Sequence, residues 1–283
     1  MEDKDNNAIL DTGAAAVGAA VGSGIGAAIA GPEGAIGGAT LGALVQSAVQ
    51  WIGREIKERQ LSKREEKKIG TVYELAKAKI EDNIKGGKTI RNDSFFSSTD
   101  EERTSADEIT EEVLFAAQRE SEEKKLPFLS NLYANIFFDA SISKPMAFQL
   151  LRMAEQLTYR QMQILSFVGG ITLASESVGS TPLKKDAYHT VSGYNNISIA
   201  TDIFGLYRQG IIQSKSALFD PAGITPADLS VGGCGALLFN LMELSKVPFD
   251  TSMLEIIRFL SENEMVDISP QRLVLKKILN EGQ

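Results

Sequence analysis

The sequence predicts a mainly α-helical protein: an N-terminal glycine-zipper helical hairpin, then a C-terminal helical domain with a small winged-helix-like β-hairpin. Three observations predict it. Residues 12–53 hold one charge, Glu33, between two charge-free runs of 20 residues, 12–31 and 34–53. Apolar residues recur at helical spacing from Ile69 onward. Strand-like runs are confined to Gly210-Ile211-Ile212 and Ala217-Leu218-Phe219. The organisation read from these is a membrane hairpin over 1–53, a charged amphipathic helix over 54–87, a linker over 88–104 and a helical domain over 105–283.

The hairpin comes first. Gly18, Gly22 and Gly26 in one run and Gly34, Gly38 and Gly42 in the other are each four residues apart. That spacing sets three glycines on one stripe of a helix and lets a second backbone approach closely. Val17, Val21, Ile25 and Ile29 form a ridge beside the first groove. A helix of about 20 residues is about 30 Å long, the thickness of a bilayer's hydrocarbon core. Four large apolar residues give the first run only about −1 to −2 kcal/mol towards insertion, so pairing or oligomerisation has to supply the rest. Membrane lipid and further copies of this chain are the expected partners. Trp51, with Arg54 and Lys57 beyond it, is placed at the membrane interface. Seven basic against four acidic residues from Arg54 to Lys68 put the following chain, and by the hairpin's return residues 1–11, on the cytoplasmic side. The soluble alternative is a hairpin of small residues buried in the protein or in an oligomer.

From Arg54 the second helix is expected to continue into an amphipathic stretch carrying Ile69, Val72, Tyr73, Ala76, Ile80 and Ile84, with Gly86-Gly87 as its C-cap. Residues 88–104 are polar and linker-like in composition. Ser105-Ala106-Asp107-Glu108 reads as a capping box opening the next domain. Helices are predicted at about 106–123, 127–140, 146–156, 159–174, 237–244, 251–262 and 270–280, with Thr158 and Gln161 capping the fourth. Thr225-Pro226-Ala227-Asp228 opens a turn or helix.

Composition excludes several chemistries. Cys234 is the only cysteine, which leaves no internal disulfide and no cysteine-based zinc site. His189 is the only histidine, so a histidine triad or multi-histidine metal site has almost nothing to use, and its surroundings fit a loop better than a base. With net charge −8 and no basic domain, nucleic acid is not an expected partner. The acidic start Met1-Glu2-Asp3 is unlike a secretory signal, and no lipidation motif stands at either end. Gly22-Ser23-Gly24-Ile25-Gly26-Ala27 matches a dinucleotide fingerprint, but no buried strand precedes it and no ribose-binding acid follows. Carboxylate runs such as Asp100-Glu101-Glu102 read as solvated faces, and Gly232-Gly233-Cys234-Gly235 as a turn rather than an anion nest. No enzymatic activity, cofactor or metal is expected.

The order Thr158–Phe167, Ser198–Gln213, Ser216–Phe219 is a winged-helix arrangement of helix, helix and β-wing. Its basic complement is small, Arg208 and Lys215 with Asp202 nearby, which favours a protein-interaction or structural wing over a DNA reader.

The stretch Leu126-Pro127-Phe128-Leu129-Ser130-Asn131-Leu132-Tyr133-Ala134-Asn135-Ile136, followed by Met146 to Leu157, Gln163-Ile164-Leu165 and Leu206 to Ile212, resembles the abortive-infection alpha family of bacterial proteins. The likeness covers about residues 106–245 and is carried by apolar positions. It departs at Leu229-Ser230-Val231-Gly232-Gly233, where the family often has Leu-Thr-x-x-Gly. The resemblance implies a role in phage defence with no established enzymatic residues and with a phage or host protein as trigger. Independently of it, the hairpin and the basic excess after it predict a location at the bacterial inner membrane with the C-terminal domain cytoplasmic, or in the cytoplasm with conditional insertion.

Overall fold

The computed structural model describes residues 61–96, 104–178 and 183–261. The glycine-zipper runs, the interface residues Trp51, Arg54 and Lys57, the dinucleotide-like match and the 270–280 helix all lie outside the described residues. What is described is helical, with one two-stranded antiparallel sheet. It divides into two compact units, with the boundary between Gln156 and Leu157.

The first unit opens with a start signal. Ser62 is extended and caps helix α1 (Lys63–Lys85) in a capping box: the Glu65 amide donates to Ser62 Oγ, and the Ser62 amide donates back to the Glu65 carboxylate at 2.8 Å. A helix running unbroken from Arg54 to Gly86 is therefore corrected, because Leu61 and Ser62 are not helical and the helix begins at Lys63. The far end closes as expected. The amides of Gly87 and Lys88 donate to the carbonyls of Ile84 and Asn83, and Gly87 takes the positive φ of 84° that this closure demands.

Helices α2 (Ser105–Arg119), α3 (Leu126–Ile136) and α4 (Lys144–Gln156) complete this unit. The cap of α2 sits one residue earlier than the sequence suggests, since Thr104 and Asp107 form the box. Helix α1 packs chiefly on α3 and also on α2, and α4 rests on α2 and α3. The shared core holds Ile69, Val72, Ile109, Leu126, Leu129, Leu132, Ile136, Leu150 and Leu151. Each such side chain contributes about 1.5–3 kcal/mol on burial. The sequence grouped α2 to α4 with everything beyond 156 and set α1 apart; the contacts group α1 with α2 to α4 instead.

The described part of 88–104 is not a bare linker. Phe95 is buried in a short 3-10 turn (Ser94–Phe96), edge-on to Phe137 at 5.9 Å. Arg91 is buried with its guanidinium 4.2 Å from the Phe95 ring, and donates to the carbonyls of Ile136 (3.3 Å) and Ile142 (2.9 Å). An arginine at the carboxyl end of α3 satisfies carbonyls the helix cannot and complements its dipole. Polar composition concealed that anchor.

The second unit contains α5 (Tyr159–Val178), α6 (Tyr194–Arg208), β1 (Ile212–Ser214), β2 (Leu229–Val231), α7 (Cys234–Leu241) and α8 (Thr251–Leu260). Thr158 and Gln161 form the expected box at the start of α5, with reciprocal bonds of 3.0 and 3.1 Å. Helix α6 runs into β1, and the strands pair with Ile212 opposite Val231 and Ser214 opposite Leu229. The expected second strand, Ala217-Leu218-Phe219, is thus corrected to Leu229–Val231. Asp220 explains why: its carboxylate accepts from the amides of Ala222 and Gly223, turning the chain into a 3-10 turn at Pro221. A second 3-10 turn at Pro226–Asp228 delivers the chain to β2, whose Val231 amide donates to Thr172 Oγ1 on α5 at 3.2 Å. The turn before α7 is close-fitting. A Cβ on Gly235 would lie 1.9 Å from the carbonyl oxygen of Ile211, so only glycine lets α7 pass this strand entry. Asp250 caps α8 through the Met253 amide and also accepts from Gln163 Nε2 on α5 at 2.8 Å.

Candidate functional site

Within the second unit, the carboxyl end of α8 and the segment entering α6 enclose a cleft of about 270 Å³. It is lined by Lys184, Tyr188, Thr190, Val191, Ser192, Asn196, Arg258 and Phe259. Backbone pairing builds it. Leu183 bridges Ser261, and the Lys184 amide donates to Leu260 at 2.9 Å. The Lys184 carbonyl accepts from Ala227, and the amides of Tyr188 and His189 donate to Ile224 and Ala222 in the β1–β2 loop. Residues 183–189 therefore form a strap pinned on one side by α8 and on the other by the wing.

Side chains reinforce the strap. The Lys184 ammonium donates to the carbonyls of Arg258 (2.9 Å) and Phe259 (3.0 Å), capping the carboxyl end of α8. Tyr188 stacks on Phe259 with ring centroids 4.4 Å apart, and its hydroxyl donates to the Phe259 carbonyl. Burial pushes that hydroxyl up from the usual phenol range, so Tyr188 acts as a neutral donor and not as an acid. The strap then turns at His189, which has a φ of 51° and is exposed. Helix α6 begins after Gly193 with no side-chain cap, while Asn196 Nδ2 donates to the Ser192 carbonyl at 3.1 Å.

The charge of the lining is one-sided: two cations, Lys184 and Arg258, and no carboxylate. Lys184 is committed to backbone carbonyls. Arg258, exposed on α8, has no ion pair or hydrogen bond from its side chain among the described residues. Chemically this is a small, half-open recess with a mainly polar, donor-rich lining.

A second polar cluster lies in the first unit. Lys125 and Glu120, 2 % and 6 % exposed, pair at 2.5 Å, and Lys125 also donates to the Glu155 carbonyl. Lys68 donates to the carbonyls of Gln118 and Glu120 at the end of α2. Desolvation, then the nearby Arg64, pulls the Lys68 ammonium below the usual lysine range. With their bonds committed to backbone and to each other, these groups clamp helix ends and are poorly placed for proton transfer.

None of the sequence-selected glycines or interface residues contributes to either place, because all lie outside the described residues. The cleft was missed. Its two halves, 184–192 and 258–259, are about seventy residues apart in the chain and carry no shared motif. On the recognition-helix position, α6 presents Tyr194, Ile197, Thr201 and Arg208 to solvent, a face with one cation. Among the described residues no cluster of histidine, cysteine, aspartate and glutamate could hold a metal, and no helix is long and apolar enough to cross a membrane. No family model, curated protein or solved structure matches the chain.

Proposed function

We propose that this chain is a non-enzymatic, membrane-associated defence protein of the abortive-infection type. Its N-terminal glycine-zipper hairpin enters the bacterial inner membrane, and its cytoplasmic helical units sense a phage or host trigger. One observation carries the reading: across 42 residues, 12–53, the single charge is Glu33, at the point where the two helices of a hairpin would turn. Gly18, Gly22 and Gly26 and their counterparts Gly34, Gly38 and Gly42 supply close-packing stripes for self-association once in lipid. The resemblance over 106–245 supports the defence role. Expression in bacteria with a potential-sensitive dye tests it. The unaltered chain depolarises the membrane, and Gly22→Leu with Gly38→Leu abolishes the effect. Equal depolarisation by the glycine variant removes the zipper, and none from the unaltered chain removes the pore.

A second reading is favoured by the helix–helix–hairpin order of α5, α6 and β1–β2. In it the protein is a soluble winged-helix-like adaptor or regulator, and residues 1–53 mediate only oligomerisation. Carbonate extraction separates the two readings: chain retained in the membrane pellet supports the first, chain wholly in the supernatant the second.

A further inference from the structure

We propose that the cleft beside the 183–189 strap binds a small phosphorylated polyol or sugar, with the phosphate at Arg258 and the hydroxylated part along the remaining polar lining. The inference does not depend on the lipid-entering hairpin.

Charge selects the sign of the ligand. In a chain of net charge −8, the eight residues lining the cleft include two cations and no carboxylate. The two cations have different tasks. Lys184 is held by the Arg258 and Phe259 carbonyls at 2.9 and 3.0 Å, so it contributes a fixed positive field. Arg258 keeps its planar set of donors unused among the described residues, and that fork suits two oxygens of one anion. The hydroxyls of Thr190 and Ser192 also lack hydrogen-bond partners among the described residues and stand on the same lining. A carboxylate offers two oxygens, which Arg258 alone would occupy. The further hydroxyls and the lysine's charge suit a tetrahedral dianion with more acceptors.

Volume sets the size. About 270 Å³ is the space of about nine waters. A bare phosphate would leave most of it filled with solvent, whereas a phosphorylated sugar or polyol would occupy it. The accessible lining is mostly polar, which suits the hydroxyls of a sugar or polyol, while Phe259 itself is buried and stacked on Tyr188 at 4.4 Å.

The shared chemistry is a phosphomonoester, which could be free in solution or part of a lipid headgroup. Isothermal titration calorimetry on the detergent-solubilised full chain tests it with ribose 5-phosphate, glycerol 3-phosphate and inorganic phosphate. Both esters are expected to bind more tightly than inorganic phosphate, and Arg258→Glu to weaken them by at least about tenfold. Because Arg258 is exposed and has no side-chain partner among the described residues, Arg258→Glu costs no more than the small helix-end charge effect and stays folded, and Arg258→Lys retains part of the affinity. Displacement of the bound ester by phosphatidic acid in the same detergent identifies a lipid headgroup, and no displacement a free soluble ester. Heat from none of the three at millimolar concentration overturns the proposal, as does unchanged affinity in Arg258→Glu. Inorganic phosphate binding as tightly as the esters overturns the organic part.

Discussion

Lys125 illustrates how a single residue can be costly to lose without being a reactive group. Its ammonium and the Glu120 carboxylate are both withdrawn from water and meet at 2.5 Å, while the Glu155 carbonyl takes a further donor and the Glu122 amide donates to the carboxylate. A buried pair of this kind contributes little net stability over apolar replacements, yet removing one partner strands the other. Lys125→Met is therefore expected to destabilise the first unit by about 3–5 kcal/mol, with Lys125→Met combined with Glu120→Leu costing less than the single change. Denaturant unfolding of the two variants checks this. Equal losses would mean that Glu120 finds another partner or reaches water. Nothing in the sequence singled out this pair, because Glu120 and Lys125 sit within a run of charges that reads as a solvated face. The C-terminal carbonyls of α2 and α4 are what draw both lysines of the cluster inward.

Elements announce themselves in the sequence by their ends and stripes, and so most of the described helices were legible. Gly86-Gly87, Thr158 with Gln161, and the apolar series of α1 all stand where local chemistry places them. What escaped depended on distant partners: Arg91 at the end of α3, the choice of Leu229–Val231 as the pairing strand, and the cleft joining 184–192 to α8. The start of α1 was also misplaced, although Ser62 and Glu65 have capping-box spacing, because charge continuity from Arg54 suggested an unbroken helix. That box has a pH signature. Hydrogen bonds from the Ser62 side chain, then from the Gln118 side chain, hold the Glu65 carboxyl down at about 2, against an ordinary value of 4.5. A depressed carboxylate stabilises the fold fully above its unfolded value, and that contribution drains away as pH falls through the folded value. Between about 4.5 and about 2, the unaltered protein should therefore lose more stability than Glu65→Gln. Thermal melts at pH 5 and pH 3 measure the difference; parallel losses in the two proteins would remove Glu65 from the acid response.

At the scale of the whole molecule, the chain's most distinctive signal and its described core occupy different residues. The core of α1 to α4 is assembled from side chains between Ile69 and Ala154, and that of the second unit from side chains between Leu157 and Ser261. The six zipper glycines lie outside the described residues. The junction carries its own cap on the described side: Ser62 Oγ accepts from the Glu65 amide, the Ser62 carbonyl accepts from the Glu66 amide, and the Arg64 side chain reaches Glu123 at 3.0 Å. A helix with its own N-cap does not require continuation of an upstream helix to close its first turn. Removing residues 1–60 is accordingly expected to leave the helical circular dichroism per residue of the remainder intact. The melting temperature should stay within about 4 °C of the full chain, the shift that about 1 kcal/mol produces in domains of this size. Carbonate extraction of the same truncated chain should find it in the supernatant. If truncation instead unfolds α1, then residues 1–60 are part of the globular core and the hairpin cannot be spent on lipid. If the truncated chain stays in the membrane pellet, lipid affinity resides in the helical units, and the exposed Tyr194, Ile197 and Phe219 become the side chains to replace next.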